Sequence, residues 1–250
     1  MHKLVKPINY NGSLVTHYEL RELTLGILNN VTKKQNMYSA LRELVNDSVI
    51  CFRGSNNEEF IGSHVGIISG KLVYKTLEAI IFEIVKEAQD DTGIDGIYFC
   101  PRCNEKHNEI DYLNDIEVVY TDMVNDEFEV ELSKPIFLKS KEAEEEVVGF
   151  KIRYPNIVDI EKAKGEQTRI YANCLIEVNK EIPSKQWMDV FSQKLFDSIP
   201  VKEPGLKEFS AELLSFGIKT VKQIGCNNCD KEFEYDINMS NFFVSSLRQA

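Results

Sequence analysis

A chain of 250 residues, 43% apolar and 28% charged, can bury one large or two modest hydrophobic cores, and this composition excludes wholesale disorder, a collagen-like helix and a long coiled coil. Lys and Arg number 29 against 40 Asp and Glu, a net charge of −11; phosphate neutralisation needs a basic face, so nucleic acid is not expected as the main partner. No apolar stretch follows Lys3 and Lys6 as in a secretion signal, and Ile80-Ile81-Phe82 and Phe99-Cys100 fall far short of the roughly 20 residues that span a bilayer; the chain is expected in a cytoplasm, or in a particle assembled there, with no membrane partner.

The first segment with a period, Leu14 to Leu20, alternates loosely and predicts a strand leading into a helix near Leu23–Thr32. Leu41, Leu44, Val45, Ser48, Val49 and Phe52 share one helical face, with Asn36 available as N-cap. Gly54-Ser55-Asn56-Asn57 then breaks the chain, and the spaced glycines Gly62, Gly66 and Gly70 separate this helix from the next. There, Leu77, Ile80, Ile81, Ile84, Val85 and Ala88 line one helical face, and Asp90-Asp91-Thr92-Gly93 stops the helix. The period then falls to two. Ile97 to Cys100 reads as a strand, residues 110–120 hold one or two more, and Phe128, Val130 and Leu132 alternate with Glu127, Glu129 and Glu131 along a half-buried one.

Residues 139–146 are charged and lack apolar anchors. They predict an exposed linker, placed at 139–147, between an N-terminal half (1–138) and a C-terminal half (148–250); a solvated excursion within one domain is the other reading. The second half opens on a strand through Val148, Phe150 and Ile152, followed by Arg153-Tyr154-Pro155. Residues 156–178 fit helix better than strand. Ser184 can cap a helix with Trp187, Val190, Phe191 and Leu195 on its face, and Pro204-Gly205 opens another through Leu206, Phe209, Leu213 and Phe216, ending at Gly217. Residues 221–225 form a strand, and Phe233, Tyr235 and Ile237 alternate on the way out. The fold class expected is α+β: two halves, each with helices packed on a small, mostly antiparallel sheet. Phe242-Phe243-Val244 reads either as a docking tail or as a last core strand.

Six cysteines are too few for a disulfide scaffold, but four fall in two Cys-x-x-Cys pairs, Cys100/Cys103 and Cys226/Cys229. On a tight turn between strands, such a pair points both thiolates to one side, and tetrahedral zinc takes four of them. Cys100, Cys103, Cys226 and Cys229 are therefore the candidate metal ligands of a split zinc-ribbon-like site joining the halves, with an iron–sulfur cluster as the alternative cofactor. Between the pairs lie 122 residues, 104 to 225; closing that loop costs about 2 kcal/mol more than closing one of roughly 17 residues, against about 10–16 kcal/mol from structural zinc. A thioredoxin-like redox pair would open a helix, whereas polar alternating residues follow both pairs. His107 could replace a cysteine, although a surface histidine is the plainer reading. Cys51 and Cys174 read as buried thiols on helical faces.

Phosphate-binding, dinucleotide, zinc-protease and nucleophile-elbow motifs are absent, and no catalytic residue is assigned. Four thiolates close a metal's shell to water, which also favours a structural role.

Several features follow one another along the chain: an opening strand and helix through Tyr18-Glu19-Leu20-Arg21-Glu22-Leu23-Thr24, two helices, Phe99-Cys100-Pro101-Arg102-Cys103, a strand ending in Arg153-Tyr154-Pro155 with Asp159 behind it, and Cys226-Asn227-Asn228-Cys229 with Phe242-Phe243. In this order the chain resembles the T-even-type phage baseplate hub and hub-assembly proteins; the run 139–146 lies outside that pattern. The resemblance implies a non-enzymatic component or assembly factor of a contractile tail, located in the virion baseplate after assembly in the host cytoplasm. Its partners would be other hub and tail proteins in a symmetric assembly. The competing reading is a zinc-ribbon nucleic-acid-binding or transcription-associated protein. That reading needs more than Arg102, Lys106 and Lys231 beside Glu105, Glu109, Glu232 and Glu234.

Overall fold

The computed structural model describes residues 1–34, 36–88, 93–140 and 143–237. The chain opens with β1 (His2–Tyr10) and β2 (Ser13–Leu20), joined by Asn11-Gly12. Both turn residues have positive φ, 51° and 81°, as a two-residue type I′ hairpin requires. Two helices follow: α1 (Leu25–Thr32), capped by Thr24, and α2 (Met37–Ser48), capped by Asn36 through a 2.8 Å bond from the Ser39 N–H.

Strand β3 (Val49–Gly54) starts where α2 stops, and it corrects the helical assignment of Val49, Cys51 and Phe52. The run Val-Ile-Cys-Phe favours extended backbone, and it pairs antiparallel with β2, Phe52 opposite Tyr18. With β4 (Glu59–Ile61) it completes a four-stranded antiparallel sheet in the order β1-β2-β3-β4. The glycine-spaced stretch is itself helix α3 (Ser63–Lys71), and α4 (Tyr74–Ala88) follows the expected period. Leu77, Ile80, Ile81 and Ile84 of α4 pack with Leu4, Val15, Tyr18 and Phe52 of the sheet in the first core. The proposed stop at 90–92 lies outside the described residues, as does the 242–244 segment.

Next come β5 (Ile94–Phe99), β6 (Lys106–Asp111) and the short β7 (Glu117–Val119). The long strands β8 (Glu127–Lys139) and β9 (Glu144–Arg153) then pair with each other. Lys139 lies opposite Glu144, and the Ser140 N–H reaches the Ala143 carbonyl at 2.8 Å. The described residues 139–140 and 143–146 thus belong to the end of a hairpin and not to a linker between halves. Lys139, Glu144 and Glu146 are exposed to solvent there, so they need no apolar anchors.

Residues 156–178 are mostly helical, as expected. Helix α5 (Ile157–Ala163) starts with an Asn156/Asp159 capping box, α6 (Gln167–Cys174) follows, and β10 (Leu175–Val178) joins β9. Helices α7 (Lys185–Ser198) and α8 (Pro204–Leu213) cover the β10-β9-β8 sheet. Phe191, Leu195 and Phe209 meet Val130, Phe150 and Ile152 in a second core. Phe216 is buried beyond the end of α8, and Gly217 (φ 96°) opens β11 (Gly217–Lys219), which pairs with β7. The last elements are β12 (Val221–Gly225) and β13 (Glu232–Asp236).

The class is α+β with antiparallel sheets, and eight helices are present among the described residues. The two cores share strand β1: Leu4 and Ile8 belong to the first and Val5 to the second. Between them Lys6 is 1% exposed, with Nζ 2.7 Å from Asp126 and donating to the Met123 carbonyl at 2.8 Å. A buried ammonium is tolerated when paired in this way. Among the described residues no helix is long and apolar enough to cross a membrane.

Candidate metal centre

The hairpins β5–β6 and β12–β13 carry the two cysteine pairs in their turns, and the turns match position by position. In the first, the Cys100 N–H donates to the Glu105 carbonyl at 2.9 Å, and the Asn104 N–H to the Cys100 carbonyl at 2.9 Å. In the second, Cys226 N–H to Lys231 and Asp230 N–H to Cys226 measure 2.9 and 2.8 Å. Asn104 (φ 58°) and Asp230 (φ 54°) occupy the same left-handed position after the second cysteine. Asn and Asp tolerate that conformation better than other side chains with a Cβ.

The hairpins face each other, and all four Sγ atoms lie within 4.8 Å of one another. Across the interface, Cys100 and Cys229 are 3.7 Å apart and Cys103 and Cys226 are 3.5 Å apart. A metal–sulfur bond of about 2.3 Å gives a tetrahedron an edge of about 3.8 Å, so the donor set fits a metal ion. Cys100 and Cys226 are buried, while Cys103 and Cys229 are half-buried. Burial acts to raise the Cys100 thiol, but the backbone N–H groups of Cys103 and Arg102 bring it down to about 6. The Lys231 N–H acts to lower Cys229, yet burial and the neighbouring thiols push it up to about 12. Four thiolates held this close repel one another unless a cation neutralises them.

Behind the sulfurs, Ile224 and Phe233 complete a small apolar cluster. His107 lies there too, and it is neither a ligand nor a surface residue: its ring is buried edge-on to Phe233 at 5.6 Å. Inward-facing positions of a strand repeat every second residue, and His107 shares that phase with Asp111.

Asp111 is the part of the site that the cysteine spacing does not announce. It is 2% exposed, and its carboxylate accepts from the Tyr98 hydroxyl at 2.5 Å and from the Tyr235 hydroxyl at 3.1 Å. Lys222 Nζ lies 3.4 Å away. Tyr98 belongs to one hairpin, Tyr235 and Lys222 to the other, and the two tyrosine rings are 3.8 Å apart. One buried carboxylate therefore ties the hairpins together from the end opposite the sulfurs. Burial, and then the hydrogen bond to Asp111, raise the Tyr98 hydroxyl and keep it protonated as a donor. Counting back two residues from Cys100 and on from Phe233 finds both tyrosines in the sequence; nothing local marks Asp111.

The remaining thiols stand apart from this site. Cys51 lies on β3 rather than on a helix, Cys174 ends α6, and burial raises both, which leaves them unreactive.

Fold and site together define an α+β protein with a possible zinc-ribbon-like centre split across the chain. No protein family, curated protein or solved structure matches this chain.

Proposed function

We propose that this chain is a non-catalytic structural protein, a component or assembly factor of a contractile-tail baseplate hub, in which one zinc ion locks the two knuckle hairpins. The observation that carries the metal reading is the four-sulfur cluster drawn equally from both hairpins. A shell of four thiolates has no open position for water or substrate, which supports a structural ion over a catalytic one. Sulfurs this close fit around a single metal atom, whereas the thiolates of a multi-iron cluster bind several irons and stand further apart. The baseplate context rests only on the resemblance, in the order of sequence features, to the hub proteins, and the action through protein–protein surfaces follows from that resemblance.

Elemental analysis of protein purified without chelator tests the metal. About one zinc per chain is expected. Cys103→Ser and Cys229→Ser should each abolish it with the same fall in thermal stability, and the double variant should be little worse because the ligands act as a unit. Absence of metal, or additive effects, ends the shared-site reading; iron with visible absorbance changes the cofactor. Co-purification with tail-tube and hub proteins tests the context separately. A tight complex with DNA at physiological salt in place of those partners would overturn it in favour of the nucleic-acid-binding alternative.

A further inference from the structure

Each buried sulfur of the four-cysteine centre meets a half-buried one from the other hairpin. Cys103 is half-buried and lies 3.5 Å from the buried Cys226, while Cys229 is half-buried and lies 3.7 Å from the buried Cys100. Both contacts have the geometry of a sulfur hydrogen bond, so the sulfurs of each crosswise pair are aimed at one another. At the far end of the ribbon, Asp111 accepts from Tyr98 and Tyr235 and fixes the register of one hairpin on the other. Each knuckle turn, by contrast, is held by its own backbone. Cys100 N–H donates to Glu105 and Asn104 N–H to Cys100 in the first, with Cys226 N–H to Lys231 and Asp230 N–H to Cys226 in the second. The other two thiols, Cys51 on β3 and Cys174 in the second core, are buried apart from this group.

We propose that the four-sulfur centre is a redox latch: hydrogen peroxide converts it into two disulfides across the interface, Cys103–Cys226 and Cys100–Cys229, and the ribbon stays shut after its metal is gone. The latch rests on the metal site proposed above and gives that site a second, metal-free state. The thiolate of Cys103 or Cys229, the accessible member of each pair, attacks one peroxide oxygen; the O–O bond breaks, hydroxide leaves and the sulfur becomes a sulfenic acid. The buried sulfur across the interface attacks the sulfenic sulfur, the S–S bond forms and the sulfenic oxygen departs as hydroxide. Each disulfide thus gives two electrons to one peroxide, and protons from the thiols or from solvent complete two waters. Sulfurs joined in this way offer no thiolate to a metal. A disulfide holds its sulfurs at about 2.05 Å, so each crosswise pair closes by about 1.5 Å through side-chain rotation and a small approach of the hairpins. A disulfide inside a knuckle would instead have to form across a turn already fixed by its backbone bonds, and it would leave the hairpins unlinked. Crosswise, the first disulfide joins the hairpins before the second pair reacts. The Cys103–Cys226 bond also encloses the 122 residues 104 to 225, a loop that restricts the unfolded chain far more than one of two residues.

Titration of the full chain, purified without chelator, with hydrogen peroxide tests the latch. The readouts are a zinc indicator dye, a peptide map under non-reducing conditions and hydrogen exchange. Zinc should leave in step with about two peroxides per chain, and the map should contain the Cys103–Cys226 and Cys100–Cys229 cross-links. Residues 94–111 and 221–236 should keep their amide protection in the oxidised, metal-free protein and lose it in reduced protein stripped by a chelator. Dithiothreitol with added zinc should restore the starting state. Cys100→Ser with Cys229→Ser keeps one crosswise pair, whereas Cys226→Ser with Cys229→Ser keeps one knuckle. Peroxide should close a disulfide in the first at least about tenfold faster than in the second. Protein that carries no zinc at the start overturns the metal reading alone, because the cross-links are mapped in that same protein. Cross-links confined to Cys100–Cys103 and Cys226–Cys229 overturn the latch. So do sulfurs oxidised past the disulfide, or an oxidised ribbon that loses its protection.

Discussion

In the sheet-and-helix body, 24 buried side chains form the first core among the described residues, all of them aliphatic or aromatic. The ribbon made by the two knuckle hairpins buries four in its cluster, and two of those are cysteines. Fully burying Ile224 and Phe233 contributes about 1.5–3 kcal/mol each, while every residue ordered in the hairpins gives up about 1–2 kcal/mol of backbone entropy. Hydrogen bonding within each ladder makes up only part of that difference. The body holds itself by burial, whereas the ribbon needs ligands and a shared carboxylate to stay shut. The same chain thus contains two kinds of order, with different sensitivities to metal, packing and charge.

Metal removal should separate them most widely. Structural zinc contributes about 10–16 kcal/mol in small peptides, so, on the zinc reading proposed above, a chelator should open residues 94–111 and 221–236 to hydrogen exchange. The amides of α4 and of β8–β9 should keep their protection. If protection falls evenly across the chain, the ribbon and the body are one cooperative unit and the comparison fails. A body substitution should do the converse. Leu77 is 0% exposed in α4, and Leu77→Ala should lower the urea unfolding free energy by about 2–5 kcal/mol without changing metal content. The finest cut is Asp111→Asn, which keeps the shape but weakens acceptance from Tyr98 and Tyr235. Chelator competition should show metal retention reduced about tenfold, the cost of weakening a hydrogen bond to a charged acceptor that holds the two hairpins together, with the unfolding of the body unmoved. Retention equal to that of wild type would mean that the sulfurs alone close the ribbon.

The cysteines were legible because their spacing is a chemical requirement independent of what surrounds them. The long helix was legible because Leu77 to Ala88 keep one period without interruption. Strand β1 was not, although Asn11-Gly12 between Tyr10 and Ser13 is a strong hairpin signal. Leu4, Val5, Lys6, Pro7 and Ile8 are all buried, so both faces of β1 are covered and no alternation marks it. Val49 and Phe52 misled for a related reason: they continue the spacing of α2 by coincidence and are buried by the sheet instead. The hairpin tip at 139–146 imitates a linker because charge without apolar residues marks solvent, whichever element reaches it. Asp111 was invisible because its partners, Tyr235 and Lys222, lie 124 and 111 residues away.

The separation of the two knuckles along the chain also has a consequence in time. At a synthesis rate of about 5–20 residues per second, the 126 residues from Cys103 to Cys229 take roughly 6–25 seconds to emerge. Throughout that interval Cys100 and Cys103 exist as a two-thiol half-site, able to take up the wrong metal or an oxidant before their partners are made. On the metal reading proposed above, the yield of metallated protein would depend on how the nascent chain is shielded during translation as well as on the affinity of the finished site.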